Sequence, residues 1–335
     1  MNEIRFGVIG WGYWGPKIAR NLDSLPHATV TYVADTDARR LSAFGINQSW
    51  VQTTTQIEDI FDSDVDAIVI ATPVSTHFQL AREALLHGKH VLVEKPLTAS
   101  VSEAEELVAL AQEQQRVLMV GHTFVYNPAV NELRKLVQGG DLGKIYSIEA
   151  ERVNLGLFRH DINVIWDLAP HDISILLYLL DKKPERIKVQ AHANVQPHIE
   201  DVAHLDLEFA DGMNAHVHVS WLHPCKIRRV TVIGDARMVV YDDTNPAEMI
   251  KVYNKGADVH ADPVVSYRYG EITIPHIDWI EPLHLECADF ANAIRTGTKP
   301  RASGEAGLEV VKVLAAAQEA LLGTIAQNSA LSITV

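Results

Sequence analysis

The stretch GVIGWGYWGPKIARNL, residues 7–22, decides the fold. It continues a short apolar run, and its glycines fall at the spacing Gly10-x-Gly12-x-x-Gly15 just before a helical pattern. Glycines at this spacing permit a tight turn and let backbone N–H groups approach a pyrophosphate at the N-terminus of the helix. The stretch therefore predicts a strand, a phosphate-binding turn and a helix.

Asp35 strengthens this prediction. It ends the next apolar run, twenty residues beyond Gly15, where an acid is placed to accept the ribose hydroxyls of a dinucleotide. Its charge would repel a 2′-phosphate, so we predict NAD as the cofactor. NADP is the disfavoured alternative, because Arg39 and Arg40 follow closely and would soften the preference.

The first 121 residues alternate short β-branched runs with helical stretches, an order typical of parallel βαβ units. The predicted strands are residues 4–10, 29–35, 66–72, 90–95 and 116–121. Their near-continuous apolar character favours a sheet that is covered on both faces. We predict a Rossmann dinucleotide-binding domain over residues 1–121, with a parallel, doubly wound sheet, and thus an α/β fold class.

Residues 122–335 follow a different pattern. A strand is predicted over residues 145–153, and from residue 187 onward apolar and polar residues alternate in successive runs, with Asp211-Gly212 as a hairpin turn. We predict an α+β domain with an open, mostly antiparallel sheet that serves substrate binding and oligomerisation. Its C-terminal helix is able to pack back onto the Rossmann domain.

Composition and charge exclude several classes of function. The formal net charge is -14 at pH 7 without a dense run of lysine and arginine, which argues against nucleic acid or an anionic membrane as a partner. Two cysteines form no disulfide framework, and the histidines lack the spacing of zinc sites, so we expect no metal. The longest apolar run is too short to cross a bilayer and no signal peptide is visible, so we expect a cytoplasmic protein.

Polar residues follow two further predicted strands, at the edge where open α/β sheets bind ligands. Thr72, Pro73 and His77 follow one strand, with His77 also a plain helix start, and Glu94 and Lys95 end the next. The proline after Lys95 favours an extended backbone that aims the lysine at the ligand. The predicted cofactor-binding residues are Gly10, Gly12, Tyr13, Trp14, Gly15, Asp35, Thr72, Pro73, His77, Glu94 and Lys95.

Residues 163–180, NVIWDLAPHDISILLYLL, place an acid and a base in an apolar helical run. Asp167 and His171 are four residues apart, which is about one helical turn. By itself the pattern fits a partly buried helix whose polar residues face solvent, a core histidine held by a carboxylate, or a pair of catalytic groups.

Taken together, the glycine spacing, the Glu-Lys-Pro segment at 94–96, the YNPAV segment at 126–130 and Asp167-x-x-x-His171 resemble the Gfo/Idh/MocA family of nicotinamide-dependent sugar and inositol oxidoreductases. The likeness covers nearly the whole chain. It implies a Rossmann domain and an open-sheet domain that builds the substrate site and often the oligomer interface, so a homodimer or homotetramer is expected. It also implies that Lys95 and His171 are the catalytic pair, with Asp167 as partner.

The resemblance implies a hydride transfer from a secondary carbinol carbon to the nicotinamide while the hydroxyl proton is removed. His171 would take this proton as general base, and Asp167 would orient the imidazole and stabilise its cation. Lys95 would donate a hydrogen bond to the same oxygen, and it would share the base role if burial lowered its pKa. The sequence leaves open which of the two takes the proton.

The segment around residues 152–180 is similar to that of oxidoreductases of surface-polysaccharide pathways, which include UDP-N-acetylglucosamine 3-dehydrogenases. Arg152 and Arg159 would suit a diphosphate, because arginine binds phosphate groups through two parallel hydrogen bonds. The predicted partner is therefore a sugar or nucleotide-sugar substrate. The predicted substrate-binding residues are Lys95, His122, Tyr126, Asn127, Arg152, Asn154, Arg159, Asn163, Asp167 and His171.

Other functions remain open at this point. A free polyol or inositol dehydrogenase, or a sugar 3-ketoreductase, would use the same catalytic residues without a diphosphate clamp. A cofactor-binding regulator would need no catalytic residues, whereas Lys95, Asp167 and His171 are all present. An NAD-dependent glycosidase would use these residues with no net turnover of the cofactor.

Overall fold

The structure, a computed structural model, describes residues 3–43, 50–259 and 264–331, with side chains except at residues 43, 259 and 324–331. The chain divides into two units. The first comprises Met1–Tyr126 and Ile280–Val311, and the second comprises Asn127–Trp279 and Lys312–Val335. The N-terminal part of the first unit thus ends at Tyr126, close to the predicted boundary after residue 121, and the unit also takes in Ile280–Val311.

The first unit contains a six-stranded parallel sheet with the strand order β3-β2-β1-β4-β5-β6. Its strands are β1 (Ile4–Ile9), β2 (Ala28–Ala34), β3 (Gln52–Thr54), β4 (Ala67–Ile70), β5 (His90–Glu94) and β6 (Leu118–Gly121). The predicted Rossmann sheet is thus confirmed. Strand β3 was not predicted, because its three polar residues form no apolar run.

Helices cover the sheets of both units. They are α1 (Gly15–Asp23), α2 (Ala38–Ala43), α3 (Glu58–Phe61), α4 (His77–Leu86), α5 (Val101–Glu113), α6 (Pro128–Gln138), α7 (Val164–Leu180), α8 (Pro282–Thr296) and α9 (Gly304–Leu331). Short 3-10 helices occupy Val74–Thr76 and Thr123–Tyr126. Capping residues in the sequence set where several of these helices begin. In α5, for example, the Ser100 side chain accepts a hydrogen bond from the Glu103 backbone N–H, as a helix-capping serine does.

The second unit contains an eight-stranded sheet with the order β14-β13-β12-β11-β7-β10-β9-β8. Its strands are β7 (Ile145–Val153), β8 (Arg186–His192), β9 (Val202–Glu208), β10 (Asn214–Ser220), β11 (Ile227–Gly234), β12 (Met238–Asp242), β13 (Ile250–Val259) and β14 (Val265–Thr273). Neighbouring strands are antiparallel except for β7 and β10, which confirms the predicted mostly antiparallel sheet. Strands β13 and β14 were not predicted.

Helix α7 lies against β7, β9 and β10 and supplies much of the core of the second unit. Ile173 and Leu176 of the helix are buried, as are Leu205 and Val217 of the sheet. None of the described helices is both long and apolar enough to cross a membrane.

An ion pair lies within this apolar layer. Arg152 on β7 donates from Nε and Nη2 to the two carboxylate oxygens of Asp172 on α7, at 2.8 and 3.0 Å. The two side chains are only 4% and 1% exposed. Because each charge needs the other when both are removed from water, the pair fixes how α7 docks on β7.

Replacing Arg152 with methionine should lower the free energy of unfolding by about 3–5 kcal/mol, because Asp172 would be left as an uncompensated buried charge. Urea unfolding measures this loss. The control is Lys182→Met, which breaks an exposed ion pair with Asp211 and should cost less than about 1 kcal/mol. Equal losses in the two variants would contradict a structural role for the buried pair.

Candidate active site

The glycine-rich turn after β1 is held by contacts between backbone segments. Gly10 has a φ of 97°, and a Cβ at this position would lie 2.5 Å from the carbonyl oxygen of Ala71. A Cβ on Gly15 would overlap the carbonyl oxygen of Gly10. The protein's own packing therefore requires glycine at both positions.

Gly12 is different, because nothing in the described chain crowds it. The nearest atom to a Cβ built there is Nη1 of Arg40, at 4.0 Å. The space over Gly12 is open and lies just before the N-terminus of α1, where backbone N–H groups and the helix dipole favour an anion. The turn thus fits the pyrophosphate of a dinucleotide, which needs close approach to the backbone.

Asp35 directly follows β2, and its side chain holds the glycine-rich turn in place. Its buried carboxylate accepts hydrogen bonds from the backbone N–H groups of Trp11, at 2.7 Å, and Asp37, at 2.8 Å. Arg40 Nη1 lies 3.5 Å from the same carboxylate, whereas Arg39 pairs with Asp37. Of the two arginines that would soften the preference for NAD, Arg40 is the one beside Asp35.

The segments that follow β4 and β5 are joined by His77. Its Nδ1 lies 2.8 Å from the carbonyl oxygen of Pro96, and its Nε2 lies 2.9 Å from that of Thr72. Burial lowers the pKa of His77, and the two carbonyl groups oppose this shift because each can accept a hydrogen bond from a ring N–H. Only 1% of the surface of His77 is exposed. His77 therefore links these two segments, and its contact with the cofactor stays a prediction.

Three ionisable side chains meet where β5 and β6 end. The Lys95 backbone N–H donates to Oε2 of Glu94 at 3.3 Å, and the following Lys95–Pro96 peptide bond is cis. His122 is 2% exposed, and burial together with the nearby Lys95 lowers the pKa of His122 to about 3. His122 is therefore a neutral neighbour of the Lys95 ammonium at neutral pH.

In the second unit, Asp167 and His171 lie one turn apart near the start of α7, and both are partly buried. Oδ2 of Asp167 accepts a hydrogen bond from the indole N–H of Trp221 at 2.9 Å. Arg159 pairs with Asp161 at 2.8 Å and is also within electrostatic reach of Asp167. The structure thus brings Asp167, Trp221 and Arg159 together. Lys95 belongs to the other unit, and its pairing with His171 stays a prediction.

Tyr126 and Asn127, two of the predicted substrate contacts, lie shortly after β6 and form hydrogen bonds with other residues of the protein. The Tyr126 hydroxyl donates to Asp289 at 2.8 Å and accepts the Ala302 backbone N–H at 3.1 Å. Asn127 caps α6 by accepting the Ala129 N–H, and its amide donates to the Tyr241 hydroxyl. Both buried side chains are satisfied by protein partners, and their role as substrate contacts stays a prediction.

Two further predicted substrate contacts, Asn163 and Arg152, have protein partners in the second unit, and their contact with substrate stays a prediction. Asn163 caps α7 through the Trp166 N–H, and its side-chain amide donates to Glu200 and Gln318. Arg152 is buried against Asp172, as described above. Both side chains serve the packing of α7. The backbone N–H of Asn154 donates to Ser220, and a role for its side chain in substrate binding stays a prediction.

One buried acid of the first unit was missed by the sequence analysis. Glu286 is fully buried on α8, in a stripe with Leu283, Cys287 and Phe290. The signal was present in the sequence, because an acid at helical spacing among buried apolar residues needs a specific reason to be there.

Two family models match the chain. Residues 4–122 match the model described as an oxidoreductase family with an NAD-binding Rossmann fold, and residues 130–240 match the GFO/IDH/MocA C-terminal domain. The chain belongs to the Gfo/Idh/MocA family. It is an oxidoreductase whose first unit is an NAD-binding Rossmann domain, and the predicted family, enzyme class and cofactor are confirmed.

Individual relatives cover nearly the whole chain. The chain is 31% identical over 314 residues to UDP-N-acetylglucosamine 3-dehydrogenase of Acidithiobacillus ferrooxidans. This match covers 93% of this chain and 95% of that relative. The chain is also 26% identical over 317 residues to the scyllo-inositol 2-dehydrogenase (NAD(+)) of Bacillus subtilis. This match covers 89% of this chain and 88% of that relative.

A solved structure agrees with this similarity. UDP-N-acetylglucosamine 3-dehydrogenase GnnA from Acidithiobacillus ferrooxidans has a TM-score of 0.79 and 29% sequence identity to the chain, and the match covers 96% of this chain and 98% of that one. The relatives thus include dehydrogenases of both nucleotide sugars and inositols.

The different surroundings of Gly12 and Gly15 predict different effects of alanine. Gly12→Ala should fold with near-normal stability and weaken NAD binding about tenfold or more, since its methyl group would occupy the open space over the turn. Gly15→Ala should lower the free energy of unfolding by about 1–3 kcal/mol through overpacking. Calorimetric titration with NAD and thermal unfolding measure the two effects. Unchanged NAD affinity in Gly12→Ala would contradict the placement of the pyrophosphate.

Proposed function

We propose that the chain oxidises a secondary hydroxyl group, at C3, of a nucleotide sugar such as UDP-N-acetylglucosamine, in amino-sugar or surface-polysaccharide biosynthesis. The observation that carries this proposal is the 31% identity to a UDP-N-acetylglucosamine 3-dehydrogenase over 93% of the chain. NAD, when bound, supplies the acceptor for the hydride that leaves the sugar.

We assign the catalytic roles to Lys95, His171 and Asp167. An imidazole exchanges its proton near neutral pH, so His171 is suited to remove the hydroxyl proton. Asp167 orients the imidazole and stabilises its cation, and the hydrogen bond from Trp221 fixes the Asp167 carboxylate. Lys95 donates a hydrogen bond to the oxygen on which negative charge develops.

Arg159 is our candidate for binding the diphosphate of a nucleotide sugar. Its side chain is 41% exposed, and Asp161 now holds its guanidinium edge through two hydrogen bonds. An arriving diphosphate would compete with Asp161 for the same donors, and its greater charge supports the exchange. Arg159 would thus hold the sugar in place through the diphosphate, which does not take part in the reaction.

An inositol or free-polyol dehydrogenase is the second candidate. The relatives include a scyllo-inositol 2-dehydrogenase at 26% identity, which favours it. The burial of Arg152 also favours it, because only one of the two arginines predicted to hold a diphosphate, Arg159, is left for that role.

We also propose that the protein forms a homodimer or homotetramer through its second unit. Among the described strands, β14 pairs with β13 alone, and it exposes Tyr267 and Tyr269 at 71% and 77% of their surfaces. Large exposed aromatic side chains on one strand support a contact surface for another subunit.

The two candidate functions predict different results in a substrate panel. With NAD present, UDP-N-acetylglucosamine or its uronic acid should produce reduced-nicotinamide absorbance, and a burst of one equivalent per site is sufficient because a 3-keto product is uphill. Free inositols should produce none. Absorbance with inositols alone would overturn the nucleotide-sugar proposal, and silence with the whole panel would contradict both candidates.

Lys95→Ala and His171→Ala should each lower kcat about 100- to 10,000-fold, because each removes a group that acts on the reacting oxygen. NAD affinity should stay nearly unchanged. Lys135→Ala and His276→Ala are matched controls at exposed positions and should turn over normally. Near-normal kcat in both test variants would remove the catalytic assignment.

A further inference from the structure

Asp35, the acid that favours NAD, has little contact with water. It is 4% exposed, and each of its carboxylate oxygens accepts a backbone N–H, Oδ2 from Trp11 at 2.7 Å and Oδ1 from Asp37 at 2.8 Å. An acid at this position favours NAD because it accepts the ribose hydroxyls and repels a 2′-phosphate. What an approaching ribose meets here therefore depends on the side chain that lies beside the buried carboxylate.

Arg40 on α2 is this neighbour. Its Nη1 lies 3.5 Å from Oδ2 of Asp35 and 4.0 Å from a Cβ built on Gly12. The guanidinium thus borders both the acid and the open space over the glycine-rich turn, where the pyrophosphate fits. The Arg40 side chain is 55% exposed, against 4% for Asp35. The more exposed charge of this pair is therefore the positive one.

Arg40 keeps hydrogen-bond donors for a ligand. A guanidinium carries five N–H donors, and among the described residues the Arg40 side chain donates to Asp35 alone, through Nη1. Arg39 differs, because its Nε and Nη2 both donate to Asp37 at 2.9 Å. Arg39 is thus held along one edge by its own acid, whereas Arg40 can bind a phosphate through its other N–H groups while it stays beside Asp35.

The acidic and basic charges of residues 35–40 are equal in number. Asp35 faces Arg40, and Asp37 binds Arg39. The repulsion that Asp35 alone would exert on a 2′-phosphate is therefore offset by a guanidinium 3.5 Å away. An arginine near the acid is also the residue that accommodates the 2′-phosphate in Rossmann domains that bind NADP.

We propose that Arg40 is a specificity-determining residue that lets this chain bind NADP as well as NAD. Asp35 accepts the ribose hydroxyls of NAD. Arg40 holds the 2′-phosphate of NADP and neutralises Asp35 at the same time. This inference goes beyond the proposed function, because it concerns the adenosine end of the cofactor and does not depend on the sugar substrate.

Calorimetric titration with each cofactor measures the preference of the protein directly. The dissociation constants of the wild-type protein for NAD and NADP should lie within about tenfold of each other. Arg40→Gln should weaken NADP binding about 10- to 100-fold, because it removes charge-assisted hydrogen bonds to the phosphate. It should change NAD binding less than about threefold. Arg40→Lys keeps the charge without the planar guanidinium, so its affinity for NADP should lie between those of the other two proteins.

Arg39→Gln is the matched control, because it removes a neighbouring guanidinium that binds Asp37 instead of Asp35. The affinity of this variant for either cofactor should change less than about threefold. Equal losses of NAD and NADP affinity in Arg40→Gln would overturn the proposal, because Arg40 would then support the turn and not the 2′-phosphate. Wild-type binding of NADP that is weaker than that of NAD by about 100-fold or more would also overturn it.

A second test isolates the 2′-phosphate. Adenosine 2′,5′-bisphosphate and 5′-AMP differ in this group alone, and NMR titration measures the binding of both. Wild-type protein should bind the bisphosphate at least as tightly as 5′-AMP. Arg40→Gln should bind it more weakly than 5′-AMP, because Asp35 would then repel the added phosphate without a neighbouring cation. The same order of affinities in the two proteins would contradict the role of Arg40.

Neither test needs a sugar substrate. If the panel of nucleotide sugars and inositols were silent while both titrations followed the expectation, the proposed function would fail and the role of Arg40 would stand. Turnover of a sugar with NAD, together with no binding of NADP, would remove the role of Arg40 alone.

Discussion

The close packing of backbone at the glycine-rich turn is the constraint on which the first unit depends. Gly10, just after β1, packs against the carbonyl of Ala71, just after the neighbouring β4, and α1 begins at Gly15 against the Gly10 carbonyl. Asp35, just after β2, ties the turn by accepting the Trp11 N–H. Three adjacent strand ends are thereby fixed at one edge of the sheet. Because the sheet is parallel, the same edge receives Glu94 and Lys95 from β5.

Burial shifts the pKa values of His122, Glu94 and Glu286 more than any charged neighbour does. Burial lowers the pKa of His122 to about 3, raises the pKa of Glu286, and raises the pKa of Glu94 to about 7 against the opposing charge of Lys95. The ammonium form of a lysine is the form that stabilises a developing alkoxide. In the second unit, the Trp221 indole performs a related task by fixing the carboxylate of Asp167.

Most of the fold could be predicted from the sequence because its buried strands are apolar runs between glycine-, proline- and asparagine-rich turns. Strand β3 escaped because it is short and polar, and β14 because it is an exposed edge strand that contains Arg268 and Gly270. The glycine turn was predictable because its geometry is local. The roles of Tyr126, Arg152 and Asn163 were not, since their partners, including Asp289, Asp172 and Glu200, lie 20 or more residues away. Whether a polar side chain is already satisfied by the protein is decided by such distant contacts.

The most direct measurement follows the hydrogen that leaves the sugar. The enzyme would be incubated with NAD and UDP-N-acetylglucosamine that carries deuterium at C3, and the reduced nicotinamide would be analysed by mass spectrometry. Oxidation at C3 by hydride transfer predicts that the deuterium appears in the nicotinamide. Reduced nicotinamide without the label, or label released to the solvent, would contradict a 3-dehydrogenase.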